Sequence, residues 1–236
     1  MRLNLDVTNH CNKACSICPM RDRYETTRFP MGFMDFSLFY AVIAQLAPGT
    51  EIDFHKDGEP LLHRGLPEMI AHAKRAGMFT HVVTNGILLG RQKKELVASG
   101  LDLLTVSIVD DIPRDSIAEF MAFKGDRGPF TQVKVYGDRD DLPAADGVIR
   151  RPLHNWTNDP ERTSRKSCSK LLNYAAVNWD GGYAICCVDW RREMVPFNVT
   201  DVPLQNCFEF SRLLYKWQER GLFLPPCRTC NYWQED

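Results

Sequence analysis

Three cysteines near the start of the chain, Cys11, Cys15 and Cys18, have the spacing C-x3-C-x2-C. Thiolates this close cannot be spread through a hydrophobic core; they share one loop and can converge on one centre. Soft thiolate donors select zinc, Cu(I) or an iron–sulfur cluster. A zinc centre usually closes with four ligands, and His10 is at hand as the fourth. A cubane cluster held by three thiolates leaves one iron open to a substrate or cofactor. A second group joins Cys168 and Cys186, spaced C-x12-G-x4-C through Gly181, to Cys227 and Cys230, spaced C-x2-C. By spacing alone these four suit a structural zinc site or an iron–sulfur cluster equally. Cys187 neighbours Cys186 and would point to the opposite face of a strand. Cys207 reads as an ordinary buried thiol. Nine cysteines in 236 residues is an odd and high number. Met1 to Val7 reads as a strand with no apolar leader behind it, so a reduced, cytoplasmic protein with metal sites is expected rather than a disulfide scaffold.

The elements that must position these groups follow from periodicity. Strands are expected at Leu3–Val7, Glu51–His55, Thr80–Thr84, Leu103–Val109, Thr131–Tyr136 and Gly147–Arg150. Helices are expected from Asp35 or Ser37 to Gln45, and over Leu66–Ala76, Gln92–Ser99 and Asp115–Phe123, the middle two stopped by Gly77 and Gly100. Strands alternating with helices at this pitch indicate a parallel sheet with right-handed crossovers. Six units are too few for a closed eight-stranded barrel. Sites in such sheets lie at the C-terminal strand ends. The cysteine loop, Gly58-Glu59-Pro60, Thr84-Asn85-Gly86 and Ser107 all fall there. Beyond residue 150 the pattern changes. Residues 151–170 are polar and irregular, Tyr174–Val188 reads as a hairpin around Asp180-Gly181-Gly182, and Phe208–Arg220 is amphipathic. Two domains are expected, 1–150 and 151–236. The segment 20–34, with Arg21, Arg23 and Arg28, reads as an excursion over the site.

The net charge of −1 gives no strong pull toward nucleic acid or anionic membrane, and no apolar run approaches the length of a membrane span.

The C-x3-C-x2-C loop after a first strand resembles the signature of the radical S-adenosylmethionine (SAM) enzymes. Gly58-Glu59-Pro60 resembles that family's Gly-Gly-Glu-Pro motif, with Asp57 standing where the first glycine would be. The second cysteine group resembles the auxiliary-cluster module of the SPASM/twitch subgroup, in its shorter twitch form with one cluster. The resemblance implies a partial (β/α)6 barrel of parallel strands with a small C-terminal twitch-type domain. It implies two 4Fe–4S clusters, one binding SAM through Cys11, Cys15 and Cys18, the other auxiliary, through Cys168, Cys186, Cys227 and Cys230. Gly58, Glu59, Pro60, Thr84, Asn85 and Ser107 match positions of SAM contact. It also implies a reducing partner such as flavodoxin.

Within the subgroup the placement of both cysteine groups is similar to that of twitch-type dehydrogenases of aminoglycoside biosynthesis. The expected reaction is therefore oxidation of a secondary alcohol on a small polar metabolite. The auxiliary cluster would accept an electron, Asp189 would act as base, and Arg150 or Arg151 would hold the hydroxyl. Radical modification of a peptide and a redox-neutral rearrangement are the alternatives, as is a zinc-stabilised binding module.

Overall fold

The computed structural model describes residues 1–20, 30–151, 167–186, 189–228 and 230. Arg21, Arg23 and Arg28, the span 152–165 and Cys187 lie outside them. The chain begins with β1 (Arg2–Leu5). Alternating strands and helices follow: α1 (Phe36–Ile43), β2 (Glu51–Phe54), α2 (Leu66–Arg75), β3 (Phe79–Thr84), α3 (Leu89–Ala98), β4 (Leu103–Ile108), α4 (Arg114–Lys124), β5 (Phe130–Tyr136) and β6 (Gly147–Arg151). These six strands pair in parallel and in sequence order, from β1 to β6. The β5–β6 connection, with its run Gly137-Asp138-Arg139-Asp140-Asp141, has no apolar period and forms no helix.

The alternation of each strand separates two faces. Leu3, Leu5, Ile52, Phe54, Val82, Leu104, Val106, Val133 and Val135 are fully buried in the core shared with the helices. Arg2, Asn4, Asp53, His81, Thr105 and Gln132 take the other face and line the concave side. There, Asp53 Oδ1 lies 2.7 Å from His81 Nδ1, His81 Nε2 lies 2.8 Å from Thr105 Oγ1, and Gln132 Nε2 donates to that oxygen at 2.8 Å. The bonded groups of Asp53, His81, Thr105 and Gln132 thus link four strands, β2 to β5.

Local signals set the helix ends. Asp35 caps α1, its carboxylate accepting the Ser37 N–H at 2.7 Å. Gly77, at φ 79°, closes α2, a left-handed conformation that costs a glycine no Cβ clash.

The C-terminal part continues the same sheet. After α5 (Lys170–Asn173), β7 (Tyr174–Val177) pairs in parallel with the free side of β1; β8 (Gly182–Ala184) and β9 (Phe197–Asn198) follow antiparallel. Among the described residues the nine strands form one sheet in the order β6-β5-β4-β3-β2-β1-β7-β8-β9. Helix α6 (Leu204–Glu219) covers the hairpin. The fully buried Tyr183 meets Ser211 Oγ at 2.8 Å through its hydroxyl and packs edge-on to Phe208. Cys207 is buried in this layer, its thiol pushed up to about 11 by desolvation, as an ordinary core thiol would be. The chain ends its described part with α7 (Pro225–Arg228). The Leu204 N–H donates to Gln45 Oε1 at 2.9 Å, tying α6 to the end of α1. No helix among the described residues is long and apolar enough to cross a membrane.

Candidate active site at the strand ends

The cysteine loop leaves β1 at its C-terminal end and is strapped to the neighbouring strand ends. Ser16 donates to Asp110 through its N–H (2.9 Å) and its hydroxyl (2.6 Å), and Lys13 Nζ donates to the Asp111 carbonyl at 2.9 Å. Asp110 and Asp111 follow β4, and Arg139, after β5, donates to the Asp110 carbonyl. On the other side Asn85, after β3, donates to Asn12 Oδ1 at 2.8 Å, and the same amide lies 4.0 Å from Cys11 Sγ. The Cys18 N–H closes a turn on the Cys15 carbonyl at 3.1 Å. Cys11, Cys15 and Cys18 are in no disulfide and are half-buried. Burial pushes the Cys15 thiol up to about 11, against the opposing pull of Lys13. A bound cation would reverse that balance, since metal ligation takes the thiolate form.

The donor set can be tested against a single metal ion. Four thiolates round one zinc stand about 3.8 Å apart, from Zn–S bonds of about 2.3 Å in a tetrahedron. Among the described residues, the only three metal-capable side chains with donor atoms within 4.8 Å of one another are Glu51, Asp53 and His81. Arg2 neutralises that trio by ion pairs to Glu51 and to Asp53, the latter at 3.0 Å. The cysteine sulfurs are spread more widely, which suits a cluster that interposes several irons.

Gly58-Glu59-Pro60 lies directly against the start of the cysteine loop. The Glu59 N–H donates to the His10 carbonyl at 2.8 Å. A Cβ on Gly58 would lie 2.0 Å from the Thr8 carbonyl oxygen and 2.5 Å from that of His10, so only glycine fits. The Glu59 side chain turns inward. It is 2 % exposed, and it accepts from the Leu61 N–H (3.0 Å), the Thr84 hydroxyl (2.7 Å) and the Asn85 N–H (2.7 Å). Desolvation outweighs these three donors and lifts its carboxyl to about 7. The Thr84 hydroxyl also accepts the Gly86 N–H at 3.0 Å. Both side chains therefore bracket the ends of β2 and β3 together. At Glu59 and Thr84 the backbone is what remains to meet a ligand.

Ser107 lies in β4, in register with Lys134 of β5. Arg150 and Arg151 are split by strand alternation. Arg150 is in register with Val135, whose side chain faces the helices, and its guanidinium reaches the Arg139 carbonyl (2.8 Å) and Asp140 (3.4 Å) at the surface. Arg150 thus sits on the face opposite Lys134 and Ser107. Arg151 pairs with Tyr136 on the opposite face, the one shared with Lys134 and Ser107.

A buried charged cluster at the ends of β1 and β2 went almost unread in the sequence. The Lys56 side chain is 0 % exposed and pairs with Asp57 at 2.5 Å. Burial alone would lower its pKa; the carboxylates of Asp57 and Asp6 raise it overall. Asp6 accepts the Asp57 N–H at 3.2 Å, and burial lifts its carboxyl to about 8. The signal available was the run Lys56-Asp57 at a strand end, directly before the motif.

Asp189, in the C-terminal part, lies within electrostatic range of Lys56. It is 5 % exposed, accepts the N–H groups of Glu193 (3.0 Å) and Met194 (2.7 Å), and burial raises its pKa. Its charge acts on Lys56 and also on Cys227. Its own N–H donates to the Cys186 carbonyl at 3.2 Å. Cys168, Cys227 and Cys230 interact electrostatically with one another, and burial lifts Cys227 to about 12. Gln218 of α6 accepts the Cys168 N–H at 2.8 Å and also hydrogen-bonds Cys227. Cys168, Cys227 and Cys230 thus lie near one another beside α6 and α7, while Cys186 is joined to Asp189, which is within electrostatic range of both Lys56 and Cys227.

Comparison with known proteins agrees with this architecture. A sequence profile of the Radical SAM superfamily matches residues 5–127. A PqqA peptide cyclase of Xanthomonas oryzae pv. oryzae (strain MAFF 311018) is 30% identical over 120 residues, covering 49% of this chain and 32% of the relative. A GTP 3′,8-cyclase of Chlorobaculum tepidum is 32% identical over 139 residues, covering 58% and 40%. The chain thus spans about a third of the length of the first of these relatives. Two solved structures share the fold over almost the whole chain. The crystal structure of BtrN in complex with AdoMet and 2-DOIA has TM-score 0.68 at 21% identity, covering 98% of this chain and 92% of that one. The anSMEcpe structure with bound AdoMet has TM-score 0.66 at 12% identity, covering 98% and 87%. The α/β core with its partial parallel barrel and the C-terminal cysteine-rich region is the architecture of these proteins.

Proposed function

Because the chain belongs to the radical SAM superfamily, we propose that it oxidises a secondary alcohol on a small polar metabolite, such as an aminocyclitol or a sugar, to the ketone. The observation that carries this reading is Asp189, a buried carboxylate whose own N–H donates to the Cys186 carbonyl at 3.2 Å and which lies within electrostatic range of Lys56 and Cys227. Deprotonating a carbinol radical makes it strongly reducing, so a base next to an electron acceptor is the arrangement that turns such a radical into a ketone.

In this reading Cys11, Cys15 and Cys18 would hold a 4Fe–4S cluster, and Gly58, Glu59, Pro60, Thr84, Asn85 and Ser107 would line the SAM site beside it. When bound, that pair supplies a 5′-deoxyadenosyl radical that takes a hydrogen atom from a substrate carbon. Asp189 takes the hydroxyl proton; burial raises its pKa and so its strength as a base. Arg151, on the inner face at the end of β6, holds the substrate oxygen. Arg150 orders the β5–β6 connection instead. Cys168, Cys186, Cys227 and Cys230 hold a second 4Fe–4S cluster with no iron left for substrate, which leaves it the role of electron acceptor. A flavodoxin-type protein supplies the reducing electron. The likeness to BtrN, whose structure holds AdoMet and 2-DOIA, supports a small substrate.

The test is anaerobic reconstitution followed by a screen of aminocyclitol and sugar alcohols with SAM. The expected result is 5′-deoxyadenosine and ketone formed in equal amounts, with Asp189→Asn slowing ketone formation by about a hundredfold or more. Rapid 5′-deoxyadenosine release without ketone would sink the dehydrogenase reading. Peptide modification is the second reading, favoured by the PqqA peptide cyclases among the relatives and by an anSMEcpe structure with bound Cp18Cys peptide. A precursor peptide in the same assay separates the two. Unchanged oxidation level in the product would mean a redox-neutral rearrangement.

A further inference from the structure

We propose that the face made by the end of α6 and the turn into α7 is the docking site of an acidic one-electron carrier that removes the electron delivered to the second cysteine group. This rests on the dehydrogenase reading above, which leaves one electron on that group per turnover. The alcohol loses a hydrogen atom to the deoxyadenosyl radical, a proton to Asp189 and one electron to the cysteine-held acceptor. An oxidised carrier, reduced by that electron, restores the acceptor for the next turnover.

The face combines three features. The first is an apolar groove of about 480 Å³, lined by Trp217, Gly221, Leu222, Phe223, Leu224 and Arg228. Trp217 is 38 % exposed, Leu213 43 % and Leu222 61 %. These exposed apolar side chains border the groove and give a partner an apolar contact beside the charged rim. The second feature is charge. Helical periodicity places Leu213, Lys216 and Arg220 along the flank of Trp217, opposite the buried Ser211, Leu214 and Gln218. Arg228 adds a third cation from α7; Glu209 on the same flank and Glu219 beside Lys216 offset part of this charge, and exposed Arg212 adds to it, so cations stay in excess. The chain as a whole carries −1, so this basic rim is local and complements an acidic partner. The third feature is proximity. Gln218, next to Trp217, bonds Cys168 and Cys227, and the carbonyl of Leu224 in the groove wall accepts the N–H of Cys227 at 2.9 Å. One layer of residues separates the groove from the thiols. A small apolar contact with a charged rim is the form of transient redox encounters.

The experiment uses the reconstituted full chain and oxidised flavodoxin as the probe, an acidic FMN protein able to take one electron. Binding is measured at low and high salt for the wild type, Lys216→Glu/Arg220→Glu, Trp217→Ala, and a control, Lys94→Glu, on the exposed side of α3. We expect the double reversal to weaken binding by about tenfold or more and to flatten its salt dependence. Trp217→Ala should also weaken it, and Lys94→Glu should leave it unchanged. Iron content and dithionite-driven SAM cleavage should match the wild type in all variants, which separates docking from folding and from the first cluster. Equal affinity in the double reversal, or an equal loss in Lys94→Glu, would overturn the proposal. So would an affinity that appears only after residues 231–236 are removed, since the groove would then hold the chain's own tail. An acidic peptide binding the face with no flavodoxin affinity would likewise overturn it. Loss of the dehydrogenase reading registers separately, as 5′-deoxyadenosine release without ketone or as about four irons rather than eight.

Discussion

Glu59 shows how one side chain couples the site to stability. Its carboxyl is lifted from 4.5 to about 7 because burial outweighs three donors. The folded state therefore binds a proton that the unfolded state has lost between these values. Stability should fall as pH rises from about 4.5 to about 7 and level off above, by about 3 kcal/mol from this group. Glu59→Gln should flatten that part of the stability–pH curve, read by denaturant titration at several pH values; an unchanged slope would show that the carboxylate is not desolvated. Asp6, lifted to about 8, contributes with the same sign, whereas His55, held neutral by burial down to about 3, loses stability as pH falls below its ordinary value. The motif Gly58-Glu59-Pro60 was readable from residue types. That Glu59 points into the protein was not, because its three donors come from two other segments. The arginine pair is similar. Two adjacent basic residues after a strand were visible, but the β5–β6 register decides that Arg151 and not Arg150 faces inward.

At the scale of elements, the contact between the start of the cysteine loop and the end of β2 is the tightest in the site. Gly58→Ala places a methyl against two backbone carbonyls that cannot swing away. We expect a loss of more than about 2 kcal/mol of stability and of the iron held by Cys11, Cys15 and Cys18, measured by denaturation and by iron analysis. Full iron retention would show that the loop can shift without consequence. Phe39 of α1, fully buried and packed on Phe54, anchors the helix behind that strand; Phe39→Ala should lower stability by about 3–5 kcal/mol while leaving Cys168, Cys186, Cys227 and Cys230 in place. The strands and helices of the first half were legible because each carries its own period and stop signal. Strand β9, two residues long, carries no period and exists only because β8 offers it an edge. The start of α6 at Leu204, earlier than the amphipathic run suggested, follows from the Gln45 side chain that takes up its first N–H.

Over the whole molecule, the two parts share one sheet, so β7 is held by β1 as well as by its own hairpin. We predict a single cooperative unfolding transition by circular dichroism; two resolved transitions would mean that the C-terminal part folds as a separate body. Reconstitution should load about eight irons per chain, and about four when Cys11, Cys15 and Cys18 are all changed to Ala. A drop from four to none would remove the electron acceptor on which the dehydrogenase reading depends. The sequence by itself determined the two cysteine groups, the order of strands and helices, and the placing of the motifs at C-terminal strand ends, because spacing and periodicity are local properties. Tertiary structure decided that Asp6, Lys56 and Asp57 form one buried cluster and that Asp189, far along the chain, comes within electrostatic range of Lys56. It also decided which motif side chains are consumed inside the protein, and that the apolar groove of α6 backs onto the cysteines. Those outcomes depend on long-range register and on how burial balances charge across segments, and no local pattern of residues encodes either.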